Sequence, residues 1–370
     1  MFFAAWCEIW LIYILCVPLR PLRLNQFLCG RVLRAPLSCR MIKWMIDTQE
    51  RPGQNIATAD SAPLVSVVLP TYNRAGMVTR AVESVLAQTY PNLELIIIVD
   101  GSTDDTLQRL EPYRGRARIV YQANAGLGAA RNAGISIARG RYIAFLDDDD
   151  MWHLEKVRTQ IDFFVSHPNC SMVCVATAPV SKPDIPMDDI LQIRDSRGIV
   201  QRPLLQKVAG RLLIVPSSVM YDREKAPGAA FYPGRGCLED ITFIVDVASA
   251  GEFGVAGDSP LVLYNEGTAR SLAADAGSWI LGAQHMRRLL AEGKLGPETG
   301  PMAADTRELV AFIARTAAVR CLHAGRFADG VKIYLRELIP QLRLGRWKFL
   351  LGFPAILAQV VLRWRRGAGT

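Results

Sequence analysis

The 370-residue sequence predicts an α/β fold with a mostly parallel central sheet, followed by a helical C-terminal region. Three observations carry that expectation. Between Leu64 and Leu146, β-branched apolar runs alternate with stretches whose apolar residues recur at helical spacing, the pattern of a sheet covered by helices on both faces. Acidic and turn-forming residues collect where the apolar runs end. Residues 269–370, rich in Ala, Leu and Arg, read as helices without a chemical motif.

The elements follow in chain order. QERPGQNIATADSAP (49–63) is polar, with two prolines and a glycine, and reads as a linker. LVSVVLP is a strand ending at Pro70, and AGMVTRAVESVLAQ is a helix with Val78, Val82, Val85 and Leu86 on one side. LELIIIV, ending at Asp100, is the second strand. DTLQRL is a short helix, ARIVYQ the third strand, GLGAARNAGISIA a helix and RYIAFL the fourth strand. HLEKVRTQIDFFVSH is helical. CSMVCVAT is a strand whose Cys170 and Cys174 are expected to pack in the core as reduced thiols rather than bind metal. A loop containing Pro and Asp runs from about Ala178 to Pro203, and VPSSVMYDR, CLEDITFIVDVASAG and PLVLYNEG come after it. This gives an apolar and basic segment 1–48, a linker 49–63, an α/β domain 64–268 and a helical region 269–370.

The net charge of +8 invites a nucleic-acid reading, since Lys and Arg neutralise phosphates. Its distribution argues against one. Six basic and no acidic residues lie between Arg20 and Lys43. Six more, again without Asp or Glu, lie between Gln341 and Thr370, which leaves −4 for the remainder. Each basic cluster adjoins an apolar stretch, FFAAWCEIWLIYILCVPL before Arg20 and FLLGFPAILAQVVL before Arg363. That combination suits an anionic membrane surface, which is the expected partner in place of nucleic acid. Residues 2–19 are barely long enough to span a bilayer, contain Glu8, and lack the charged start and cleavage site of a secretory signal. They read as a single N-terminal anchor, as an interfacial helix, or as residues ahead of a start at Met41 or Met45. An inserted segment followed by basic residues would place the body at the cytoplasmic face of the membrane.

In sheets of this kind ligands bind beyond the carboxyl ends of the strands, and three carboxylate-bearing loops fall there. FLDDDD sets Asp147 and Asp149 two apart after an apolar strand. Hard divalent cations such as Mg²⁺ or Mn²⁺ take one or two carboxylates and complete their shell with water and substrate phosphates; a solvated acidic turn is the plainer alternative. In VDGSTDDT, Asp100 sits at a strand tip, where a carboxylate can accept a hydrogen bond from a ligand N–H, while Ser102 and Asp104 are expected to cap the next helix. In CLEDITF, Glu239 and Asp240 open a helix. There they suit the macrodipole, or supply a general base for an acceptor hydroxyl.

PTYNR (70–74), SVLAQTYPNLELIIIVDGSTDDT (84–106), NAGLGAARNAGISIARGRYIAFLDDDDMW (124–152) and LED (238–240), in this order and spacing, resemble the family 2 inverting glycosyltransferases of GT-A fold. The resemblance covers about Leu64 to Gly267. It implies that Pro70, Tyr72 and Asp100 hold the donor's base and ribose, and that Asp147 and Asp149 form the DxD motif binding Mn²⁺ or Mg²⁺ on the diphosphate. It further implies that Asp240 is the catalytic base. Arg131, in the AARN segment, either faces the nucleotide or lies on the helix surface. The implied donor is a nucleotide-sugar, a UDP-sugar by preference, with GDP and dTDP open, and the acceptor a lipid-linked or cell-surface glycan.

The chain departs from the family at three points. Val99 stands where the family commonly has a second aspartate, His153-Leu154-Glu155 replaces a usual Pro-Asp pair, and YNEG (264–267) brings no Arg or His to the diphosphate. Arg343-Leu344-Gly345-Arg346-Trp347 fits the RxxRW form used by processive polysaccharide synthases, but a basic amphipathic membrane helix explains the same residues more simply. A processive synthase and a catalytically silent nucleotide-sugar-binding scaffold are the alternatives. Retention of Asp147, Asp149 and Asp240 argues against the second.

Overall fold

The computed structural model describes residues 62–181, 193–205, 207–208, 211–212, 215–233, 238–265 and 276–367. The expectations for the N-terminal segment, and the proposed boundary at 268/269, lie outside these residues. In chain order the elements are β1 (Val65–Thr71), α1 (Val78–Leu86), β2 (Leu93–Asp100), α2 (Thr106–Leu110), β3 (Arg118–Gln122), α3 (Leu127–Ile137), β4 (Tyr142–Phe145), β5 (Met151–Trp152), α4 (Lys156–Ser166), β6 (Cys170–Val175) and β7 (Thr177–Pro179). A short pair, β8 (Lys207–Val208) and β9 (Arg211–Leu212), precedes β10 (Val219–Asp222), α5 (Asp240–Ser249), β11 (Glu252–Ala256) and β12 (Val262–Tyr264). Four helices close the chain: α6 (Ala276–Ala291), α7 (Gly300–His323), α8 (Phe327–Arg343) and α9 (Trp347–Gly367).

The main sheet has the order β11-β6-β10-β4-β1-β2-β3. All its neighbours pair in parallel except β10, which runs antiparallel to both β4 and β6. β1 is buried along its whole length, as a central parallel strand covered on both faces must be. Alternation along the strands divides the core into two layers. Val67, Leu69, Ile97, Val99 and Ala144 pack with Val78, Val82 and Val85 of α1 and with Val157 and Ile161 of α4. On the other face Val68, Ile96, Ile98, Ile143 and Phe145 meet Ala130 of α3, Phe243 and Ile244 of α5 and, in the same cluster, Met286, Val310, Ile313 and Phe353 of the C-terminal helices.

Two local readings need correction. CSMVCVAT is not one strand: the chain leaves the main sheet after Val175, and β7 joins a second sheet of order β5-β12-β7. Ser102 does not cap α2, because its hydroxyl accepts the Asn73 N–H from the neighbouring strand loop at 3.0 Å. Asp104 does serve the helix start, accepting the Thr106 N–H at 3.0 Å. Cys170 and Cys174 are free thiols buried in β6.

The order β3-β2-β1-β4 fixes the position of the site. Chain progression reverses between β1 and β4, and a ligand crevice opens beyond such a switch point. The β1–β4 ladder reaches only Val68–Phe145, whereas β1 continues to Thr71. Pro70, which has no N–H to give, thus lies where that ladder has already opened.

Candidate active site

Three strand ends, those of β1, β2 and β4, and the start of α5 carry the candidate residues. After β1, Asn73 takes the left-handed conformation (φ 53°). Its side-chain oxygen accepts the Thr103 N–H at 2.7 Å while its own N–H goes to Ser102. The two loops are thereby clasped, and the Tyr72 ring is left 47 % exposed. After β2, Gly101 has φ +74°, and a Cβ there would stand 2.7 Å from the Asn124 backbone nitrogen, so only glycine fits. Asp100 is buried at the tip of β2 and accepts from the Gln122 amide at 2.7 Å and from the Ala125 and Gly126 N–H groups at 2.8 and 2.9 Å. It therefore shapes the turn entering α3, where an anion is favoured by the helix N-terminus.

The run Asp147–Asp150 alternates in environment. Asp148 and Asp150 are buried, while Asp147 and Asp149 are partly exposed. Asp148 accepts the Tyr72 N–H at 3.4 Å and lies 3.6 Å from Arg74. Asp150 accepts the Ser217 hydroxyl at 2.6 Å and the Asn265 N–H at 3.1 Å. Ser217 in turn receives the Asp147 N–H at 3.1 Å, so one hydroxyl holds both ends of the run. Burial pushes Asp148 up to about 7, and also raises Asp149 and Asp150, with Asp147 adding repulsion to both. Arg74 lies 3.6 Å from Asp149 and opposes the rise there.

Arg131 is 1 % exposed, so the helix-surface alternative does not hold. Its guanidinium donates to Asp147 at 2.6 Å and to Glu239 at 2.9 Å, and lies over the Phe231 ring at 4.9 Å. Burial works against its charge, yet the flanking carboxylates hold its pKa above the ordinary value. One buried cation thus joins the acidic loop after β4 to the start of α5. Asp240, the next residue, is partly exposed. Burial and the neighbouring Glu239 push it up to about 7, against the pull of Arg131. Leu238, just before this pair, is held at φ 74°, a costly conformation for a bulky residue that turns the chain into α5.

Within the described residues, Arg131 joins Asp147 to Glu239 beside Asp240, Arg74 lies 3.6 Å from Asp149, and the Tyr72 N–H reaches Asp148, while Pro70 and Asp100 are buried near the ends of β1 and β2. The sequence reading passed over Ser217, Glu239 as the partner of Arg131, and Arg74. Arg74 stands inside the PTYNR motif and could have been found there. Ser217 carried no signal, because the residues it clasps come from a distant part of the chain.

The fold is that of the GT-A nucleotide-diphospho-sugar transferases, with added C-terminal helices. Staphylococcus aureus TarS 1–349, solved in complex with UDP-GlcNAc, superposes with a TM-score of 0.59 at 20 % identity, over 82 % of this chain and 92 % of that one. The Pyrobaculum calidifontis mannosyltransferase PcManGT, solved with GDP-Man and Mn²⁺, gives 0.50 at 17 % identity over 86 % and 92 %. Residues 66–225 match the family described as glycosyl transferase family 2. In Bacillus subtilis (strain 168), the glycosyltransferase TuaG, named for teichuronic acid biosynthesis, is 35 % identical over 167 residues, 44 % of this chain and 64 % of TuaG. The Escherichia coli β-1,3-glucosyltransferase WfaP, named for UDP-Glc and α-D-GlcNAc-diphosphoundecaprenol, is 44 % identical over 102 residues, 27 % of this chain and 41 % of WfaP. The chain thus spans less than two thirds of either relative.

Proposed function

We propose that this protein is an inverting glycosyltransferase that moves a sugar from a nucleotide-diphospho-sugar, a UDP-sugar, to a hydroxyl of a lipid-linked or cell-surface glycan at the cytoplasmic face of the membrane. The observation that carries the reading is the sorting of the carboxylates. Asp148 and Asp150 are spent on holding the loop, Asp147 and Asp149 remain partly open, and Asp240 stands beside them through the Arg131 bridge. WfaP, TuaG and the nucleotide-sugar complexes of the two fold neighbours agree with it.

The donor would lie in the crevice with its base against Tyr72 and the wall formed by Pro70 and Asp100. Among the described residues no three His, Cys, Asp or Glu side chains converge as a closed metal cage. Two partly open carboxylates suit a hard divalent cation, Mn²⁺ or Mg²⁺, whose shell is completed by water and diphosphate. Asp147 and Asp149 would hold that cation, which when bound supplies charge stabilisation to the departing nucleoside diphosphate. Arg131 keeps Asp147 aimed through its 2.6 Å hydrogen bond. Asp240, with its pKa near 7, removes the proton of the acceptor hydroxyl as the oxygen attacks the anomeric carbon opposite the leaving group. The Arg131–Glu239 pair fixes the helix start from which Asp240 projects.

Thermal-shift titration with a panel of nucleotide sugars, with and without Mn²⁺, tests the donor half of this reading, because a ligand of the native state raises the melting temperature with its concentration. The expected result is a metal-dependent shift with a UDP-sugar that Asp149→Ala removes. An Asp149→Ala variant that shifts like the wild type, with and without Mn²⁺, would overturn the metal assignment.

A further inference from the structure

The C-terminal helices carry an apolar surface that the transfer chemistry does not use. On α8, Gly330, Ile333, Glu337 and Gln341 are buried toward the bundle, while Leu335, Ile339 and Leu342 are 57, 63 and 47 % exposed on the opposite side. These three are spaced as neighbours on one helical strip. Lys332, Arg336 and Arg343, all exposed, run alongside it. On α9 the buried residues Phe349, Leu350 and Phe353 face inward, whereas Trp347, Leu351 and Leu362 are 57, 76 and 54 % exposed, with Pro354, Ala355 and Ala358 exposed between them on the same strip. Lys348 flanks this second strip.

From Phe327 to Gly367 there are eight basic residues and two acidic ones. Both acids are engaged inside the protein: Glu337 is buried and paired with Arg287, and Asp329 is held by Arg326 at 2.8 Å. Lys332, Arg336, Arg343 and Lys348 form no ion pair among the described residues. No helix among the described residues is long and apolar enough to cross a bilayer. A helix face of large apolar side chains, including a Trp, bordered by unneutralised cations is suited to lie in the headgroup region.

We infer that the outer strips of α8 and α9 form a docking surface for an anionic phospholipid bilayer. The ridge seats Leu335, Ile339, Leu342, Trp347 and Leu351 at the boundary between headgroups and acyl chains, and the four cations meet the lipid phosphates. This names the surface behind the membrane placement proposed above, on which it builds, and it can fail while the transferase reading stands, because its test involves no sugar donor. It also gives Arg343 and Trp347, at the ends of the RxxRW stretch, a role at the lipid surface.

Amide hydrogen exchange of the full chain, with phosphatidylcholine vesicles or with equimolar phosphatidylcholine and phosphatidylglycerol vesicles, tests it. The expected result is slowed exchange in peptides covering 331–343 and 347–362 with the anionic vesicles only, reversed by high salt. Ile339→Glu combined with Leu351→Glu should abolish that protection. Lys332→Gln and Arg336→Gln, milder exposed changes that keep the fold, should each weaken vesicle affinity about fivefold. Two results would overturn the inference. In one, vesicles bind while exchange in both helices is unchanged, which would place the contact elsewhere in the chain. In the other, both helices are protected without lipid and the Glu variants convert a dimer to a monomer, which would assign the ridge to a second copy of the chain.

Discussion

At Asp147–Asp150 four consecutive carboxylates would repel one another strongly in a uniform environment, and the structure avoids this by giving alternate residues different partners. Asp148, buried beneath Tyr72, is held up to about 7. An unfolded Asp loses its proton near 4, so between about 4 and 7 the folded chain binds the extra proton and stability falls as pH rises. Asp148→Asn should flatten that dependence, as read by denaturant unfolding across the window. Arg131 is the other decisive residue. Arg131→Met would leave Asp147 and Glu239 without their buried cation, and removing one partner of such a cluster costs about 3–5 kcal/mol. Arg131→Lys should recover only part of it, since an ammonium cannot reach two carboxylates in the fork geometry of a guanidinium; melting temperatures of the pair check this. Asp240 must be deprotonated to act as a base, so kcat/KM should rise with pH through about 7. A profile flat across neutrality would count against the assignment.

Among the elements, α5 and α3 set the spacing between the acidic loop and Asp240. Phe243 of α5 stacks on Phe231 at 4.4 Å and meets Phe145 and Tyr221 edge-on at 5.2 and 5.0 Å, which pins the helix bearing Asp240 to the sheet. Phe243→Ala should cost about 3–5 kcal/mol in chemical denaturation. In α3, a Cβ at Gly128 would fall 2.0 Å from the Tyr232 carbonyl oxygen and 3.3 Å from Glu239. Gly128→Ala should therefore push α3 away from the start of α5 and lower kcat more than donor affinity. The elements themselves were legible because strand and helix periods are local: Val78–Leu86, Leu93–Asp100 and Leu127–Ile137 fall where the apolar spacing puts them. The Gly128–Tyr232 contact and the turn of Ser102 toward Asn73 were not, because each depends on which loops the sheet order brings together.

For the whole molecule, the sheet order brings Tyr72, the Asp147–Asp150 loop and the start of α5 together, linked by the Tyr72–Asp148 and Arg131 contacts, and the C-terminal helices close the core on the α5 side of the sheet. The strand-tip positions of the carboxylates could be read from sequence. Their division into buried and partly exposed carboxylates could not, because it depends on Ser217 and Asn265 from far along the chain. In the proposed reaction Asp240 performs the chemistry while Asp147 and Asp149 serve the donor. Nucleoside diphosphate release from the full chain, with a nucleotide-sugar panel and a membrane lipid extract as acceptor, should fall to background in Asp240→Asn while the Mn²⁺-dependent donor thermal shift stays as in the wild type. Release by Asp240→Asn near the wild-type rate would contradict it.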